Sequence, residues 1–240
     1  MGKVILSASG KGGTGKTMFA SNLGATYALA GYSVVILDMD MGLRNMDLYF
    51  GLENKMIYDA YDVMTGRCRI KQALIRDNRF PRLFVMGSSP VKEPGNITPL
   101  HVKVLVEKLS ANFDYVIVDA PSGIGDGLVM ASAGSDIAVV VSTPEYASLR
   151  DSGNMDAELK RLGVRKRYLV LNKMIAEMMN AGYIPHIREI VRSSPMELIG
   201  IIMYDRNINI STNLGVPIVL KQNSYISDNF RNIAGFLERA

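Results

Sequence analysis

The chain has 240 residues, 48% of them apolar and 21% charged, with 27 Lys and Arg against 23 Asp and Glu and a formal net charge of +4. That balance is the one of a folded globular protein and excludes a disordered or collagen-like chain. One cysteine, Cys68, excludes an intrachain disulfide framework and any metal or iron–sulfur site built from two cysteines of one chain, and it makes a reducing, cytoplasmic setting the expectation.

In chain order, short β-branched runs alternate with helical patterns. Residues 4–6 open the series, and a glycine-rich segment leads into a predicted helix over 16–30 that stops at Gly31. A second strand is predicted at 34–37. Regular alternation then lapses, and residues 41–80 read as an extended loop with short helices. The next strand is 83–86. Thr98-Pro99 is an N-cap followed by proline at the first helical position. Strands at 115–118 and 137–141 follow. Thr143-Pro144-Glu145 repeats the cap signal before a helix over 145–162 that ends at Gly163. Residues 168–171 and 198–203 are the last strands. At the end, Tyr225, Ile226, Phe230, Ile233, Ala234 and Leu237 lie at helical spacing. With few basic residues on its polar side, this last helix is expected to dock on the domain rather than lie on a membrane.

Most of the strand runs are continuously apolar, the pattern of strands covered on both faces. The predicted fold is therefore doubly wound α/β, a mostly parallel sheet flanked by helices, in a single domain over 1–240. The N-terminus lacks the apolar stretch of a signal peptide, and no apolar run approaches the length of a membrane span.

Gly10-Lys11-Gly12-Gly13-Thr14-Gly15-Lys16-Thr17 satisfies G-x-x-x-x-G-K-[ST] in full, between a strand and a helix. The glycines let successive backbone amides curl toward phosphate oxygens, and the helix that follows turns its positive end to an anion. Lys16 is placed to neutralise the β- and γ-phosphates and Thr17 to offer a hydroxyl to Mg²⁺. Lys11 is an additional cation at the loop's start. It is either a solvated charge or one that reaches a phosphate across a subunit boundary. Asp38 and Asp40 share a face of an extended segment after the second strand. Asp119 closes an apolar strand, the Walker-B arrangement for Mg²⁺. Together these carboxylates and the loop predict a Mg-nucleotide site. His101 and His186 lack metal-ligand spacing and sit in helical patterns. Cys68 reads as a small buried apolar residue, and Met174, Met178 and Met179 as helical packing residues.

The loop Lys11-Gly12-Gly13-Thr14-Gly15-Lys16-Thr17 resembles that of the MinD/ParA family of deviant Walker-A P-loop ATPases, whose mark is the extra lysine. The segment Asp38-Met39-Asp40-Met41-Gly42-Leu43-Arg44-Asn45-Met46-Asp47 is similar to switch I of the MinD branch, and Asp119-Ala120-Pro121-Ser122-Gly123-Ile124 to switch II. The likeness spans essentially the whole chain. It implies an ATPase that binds and hydrolyses ATP with Mg²⁺, dimerises with ATP bound, and serves spatial positioning of the septum-site type. Lys11, Lys16 and Asp40 would be catalytic. The nucleotide would be held by Lys11, Gly12, Gly13, Thr14, Gly15, Lys16, Thr17 and Met18, with Asn172, Tyr204 and Asp205 on the adenine side. Thr17, Asp38, Asp40 and Asp119 would serve the metal.

Three positions depart from the family pattern. Met18 stands where Thr or Ser is usual. No proline stands near Met203. The chain ends at Glu238-Arg239-Ala240 where a basic amphipathic membrane anchor usually begins. The resemblance further implies an ATP-dependent homodimer and a protein activator or effector, in the cytoplasm or at the inner face of the membrane. Two alternatives stay open. One is a ParA-like DNA or cargo segregation ATPase, motivated by the basic clusters Arg67, Arg69, Lys71, Arg76, Arg79, Arg82 and Arg161, Arg165, Lys166, Arg167. The other is a synthetase that phosphorylates a small carboxylate with ATP.

Overall fold

A computed structural model describes residues 1–41, 45–53, 55–89, 97–221 and 224–240. Gly42, Leu43 and Arg44, part of the switch I likeness, lie outside the described residues.

The strands are β1 (Lys3–Ala8), β2 (Val34–Asp38), β3 (Ile75–Arg76), β4 (Leu83–Met86), β5 (Tyr115–Asp119), β6 (Ile137–Ser142), β7 (Lys166–Met174) and β8 (Glu197–Met203). They form one sheet in the order β3-β4-β2-β5-β1-β6-β7-β8. Every pairing is parallel except β3 with β4. The chain winds outward from β1 to one edge, returns through β5, then crosses β1 to build the other edge. The topological switch point therefore lies at β1, and a doubly wound sheet places its ligand crevice beyond the carboxyl ends of the strands there.

Eleven helices are described: α1 (Lys16–Leu29), α2 (Met46–Phe50), α3 (Ala60–Met64), α4 (Ile70–Ala73), α5 (Pro99–Ser110), α6 (Asp126–Ala131), α7 (Tyr146–Arg161), α8 (Ala176–Asn180), α9 (Ile187–Ser193), α10 (Arg206–Asn213) and α11 (Tyr225–Arg239). Because strand side chains alternate, the sheet feeds two cores. Ile5, Ile36, Ile117 and Val139 face α1 and α11, where they meet Phe19 and Phe230. Leu6, Val35, Val116 and Val140 face the other side, with Leu105 of α5 and Leu159 of α7. Close approach uses glycine on one face: a Cβ on Gly24 would lie 2.6 Å from Ile36 Cδ1, and one on Gly200 2.4 Å from Ile233 Cγ1. The apolar stripe of α11 (Ile226, Phe230, Ile233, Leu237) is buried in this core, as its spacing predicted.

The structure corrects several local expectations. The antiparallel edge strand β3 was hidden in residues 41–80, too short to carry a pattern. α7 starts at Tyr146 with Glu145 as N-cap, not at the Thr143-Pro144 signal. Ser148 explains the shift, because its hydroxyl reaches back to accept from the Thr143 amide and pairs with Ser142. His186 is not inside a helix but caps α9, accepting from the Arg188 amide at 3.2 Å, and His101 Nδ1 accepts from the Thr98 amide at the start of α5. Met174 ends a strand. Cys68 is half-buried rather than buried, and burial raises its thiol pKa.

Candidate functional site

The glycine-rich loop joins β1 to α1 at the switch point. Gly13 and Gly15 adopt positive φ (79° and 92°), which bends the chain through conformations that side chains resist. Gly10 has a different reason: a Cβ there would lie 2.7 Å from Asp151 of α7. Among the described residues no protein acceptor takes the backbone amides of residues 12–17, although buried amides are ordinarily paired. A loop of unpaired, convergent amides at a helix N-terminus is an anion cradle. It opens on a cavity of about 690 Å³.

β2 and β5 pair in register, setting Asp38 opposite Asp119. Both carboxylates are buried. Lys16 Nζ lies 3.3 Å from Asp119 Oδ1, a buried ion pair. Burial raises the Asp119 pKa against the opposing pull of Lys16 and a hydrogen bond from Thr17. Burial, then repulsion from Asp119, lifts Asp38 to about 7. Asp38 also arranges the segment after β2: its Oδ1 accepts from the Asp40 amide at 2.9 Å and its Oδ2 from the Met46 amide at 3.3 Å. Asp40 lies half-buried in the cavity wall, its pKa raised by burial and lowered by Lys16.

Asp119 Oδ2 is buried and has no hydrogen-bond partner among the described residues. Two opposed buried carboxylates have a single lysine between them, paired with Asp119, and an unpartnered oxygen beside a hydroxyl suits a hard divalent cation. The residues fit Mg²⁺, which Thr17 and Asp119 would hold with Asp38 behind them, and which would neutralise charge on phosphate oxygens.

Other predicted residues fall as follows. Lys11 is half-buried and in no ion pair among the described residues; its carbonyl accepts from Ser9 Oγ at 3.0 Å. Met18 packs its side chain into the core. Asn172 is buried at the end of β7 but turns its amide to the loop, donating to the Thr14 carbonyl at 2.7 Å. Tyr204 is largely exposed at the cavity mouth, held by its amide to the Met174 carbonyl. Asp205 caps α10 through the Asn207 amide and accepts from Tyr225 Oη at 2.6 Å, which depresses its pKa. Lys173, Tyr49 and the α10 face (Ile208, Asn209, Thr212) also line the cavity, and no motif pointed to them.

Fold, loop and paired aspartates define the chain as a P-loop NTPase. The ParA family profile, NUBPL iron-transfer P-loop NTPase, matches residues 1–237. The septum site-determining protein MinD of Bacillus subtilis is 39% identical over 236 residues, covering 98% of this chain and 88% of that protein. In a solved MinC:MinD cell division protein complex from Aquifex aeolicus, a chain superposes with a TM-score of 0.91 at 34% identity, covering 99% of this chain and 96% of that one. MinD complexed with Mg-ADP from Pyrococcus horikoshii shares the fold, with a TM-score of 0.88 at 23% identity and coverage of 99% and 96%. The chain belongs to the MinD/ParA family of P-loop ATPases.

Proposed function

We propose that this protein is an ATP-driven dimerisation switch for spatial positioning, of the MinD kind, acting as one unit over 1–240. The unpaired amides of the loop, with Lys16 already paired to Asp119, are the observation that carries the nucleotide reading. Lys16 exchanges its carboxylate partner for phosphate when nucleotide enters. Asp40 orients the attacking water. The water oxygen bonds to the γ-phosphorus as the bond to the β-phosphate oxygen breaks, leaving ADP and phosphate. Lys11 is in no ion pair among the described residues, which suits it to a phosphate in a second copy. Turnover is then slow in the monomer, and a protein partner that favours the closed pair raises it. A cation supplied across a subunit boundary is worth roughly 10³–10⁵ in rate.

Attachment to a membrane does not come from α11, whose apolar face is buried in the core. No described helix is long and apolar enough to cross a membrane. The segregation reading is weaker because several of its basic residues are tied up: Arg79 to Asp77, Arg167 to Asp156, Arg161 to Glu158.

The test is ATPase rate and oligomeric state against protein concentration, with and without anionic vesicles or duplex DNA. A rate per subunit that rises with concentration, and a dimer seen with ATP but not ADP, is expected. A rate independent of concentration sinks the switch. Stimulation by DNA with a steep salt dependence moves the protein to the segregation role. Lys11→Ala is expected to keep ADP affinity and lose turnover.

A further inference from the structure

Asn172 and Lys173, adjacent at the end of β7, hold adjacent carbonyls of the phosphate loop. Asn172 Nδ2 donates to the Thr14 carbonyl and Lys173 Nζ to the Gly13 carbonyl, each at 2.7 Å. The strand is built to do this. Its register against β8 shifts between Leu171 and Met174, so the two residues leave the regular ladder. Lys173 sits at φ 57°, and among the described residues it is the one non-glycine at positive φ. That backbone conformation is unfavourable for a side chain and persists where the surroundings require it. Asn172 presses so closely on the loop that a Cβ on Gly15 would lie 2.2 Å from its nitrogen.

The C=O and N–H of a trans peptide unit point in opposite directions. Fixing the Gly13 carbonyl outward therefore aims the Thr14 amide the other way, and fixing the Thr14 carbonyl aims the Gly15 amide. Among the described residues both amides lack protein acceptors. We propose that Asn172 and Lys173 are positioning residues, a clip that preorganises the phosphate loop and so tightens the grip on phosphates whatever base they carry. This rests on the nucleotide reading above and gives Asn172 a role distinct from adenine recognition. Without the clip, the two peptide units are free to rotate, and ordering them on binding costs affinity.

Calorimetric titration of ADP and of inorganic pyrophosphate into the wild type, Lys173→Met, Lys173→Arg and Asn172→Ala tests the clip. Lys173→Met is expected to weaken both ligands by the same factor, roughly tenfold, as for a lost charge-assisted hydrogen bond. Lys173→Arg is expected to recover most of that loss. Amide hydrogen exchange at Thr14 and Gly15 in the ligand-free protein is expected to quicken in Lys173→Met while the α1 core amides stay unchanged, which separates the clip from general unfolding. Since Lys173 is exposed, this variant keeps its fold even where Asn172→Ala does not. Unchanged affinities in Lys173→Met overturn the proposal. So does a loss confined to ADP, which would place the pair on the base. A wild type that binds neither ligand removes the nucleotide reading itself, and the clip's function with it.

Discussion

At the scale of single residues, the deciding feature is a buried charge imbalance. Asp38 and Asp119 face each other across β2 and β5, and Lys16 pairs with Asp119 alone. Removing one partner of a buried pair leaves an uncompensated charge, which typically costs about 3–5 kcal/mol. Lys16→Met is expected to lower unfolding free energy in urea by that order, and adding Asp119→Asn in the same chain to restore most of it. A Lys16→Met protein as stable as the wild type would show that the carboxylates are neutral without it. The residues of this centre were legible in the sequence because each follows a strand or a glycine loop whose chemistry is local. Lys173 was not, since its part depends on a backbone conformation that spacing does not encode. His186 was misplaced because a capping histidine and a helical one share the same neighbours in sequence.

Among elements, the strands and long helices could be read from apolar runs and caps because the sheet is covered on both faces and α1 and α7 run out at Gly31 and Gly163. Between β2 and β4 short helices were expected without their bounds, and the two-residue strand β3 escaped because it takes its shape from β4. Arg79 is the joint among them. It pairs with buried Asp77 at 2.6 Å and donates to the Phe50 carbonyl at the end of α2 and the Gly215 carbonyl just past α10, each at 2.7 Å. The two helices it ties both line the nucleotide cavity. Arg79→Ala leaves buried Asp77 with the residue 79 amide but no guanidinium, and takes the side-chain donor from two carbonyls. It is expected to cost about 2–4 kcal/mol in chemical unfolding and to speed hydrogen exchange in α2 and α10 ahead of the sheet. Exchange in both helices unchanged from the wild type would refute the joint. Gly200→Val tests the same core where α11 covers it. Its side chain would be driven into Ile233, and the displaced α11 is expected to cost about 1–3 kcal/mol.

The whole molecule presents its site at one end of the sheet, open to a second copy, and the proposed switch makes each site depend on two chains. That dependence can be measured without any partner protein. In Lys11→Ala homodimers each site keeps its own Asp40 and lacks the incoming lysine. In Asp40→Asn homodimers each site receives lysine and lacks the carboxylate. Both are expected to be inactive. A heterodimer of the two rebuilds one site: the Lys11→Ala chain supplies Asp40 and its Asp40→Asn mate supplies Lys11. The other site lacks both. At equal mixing about half of two-fold dimers are mixed, each with one working site, so the mixture should recover roughly a quarter of the wild-type rate. If Lys11 served the phosphates of its own subunit, no pairing would place it with an intact Asp40 in one site, and mixing would recover nothing. The experiment reads the direction of the lysine directly, because the two parents differ only in which half of a shared site each withholds.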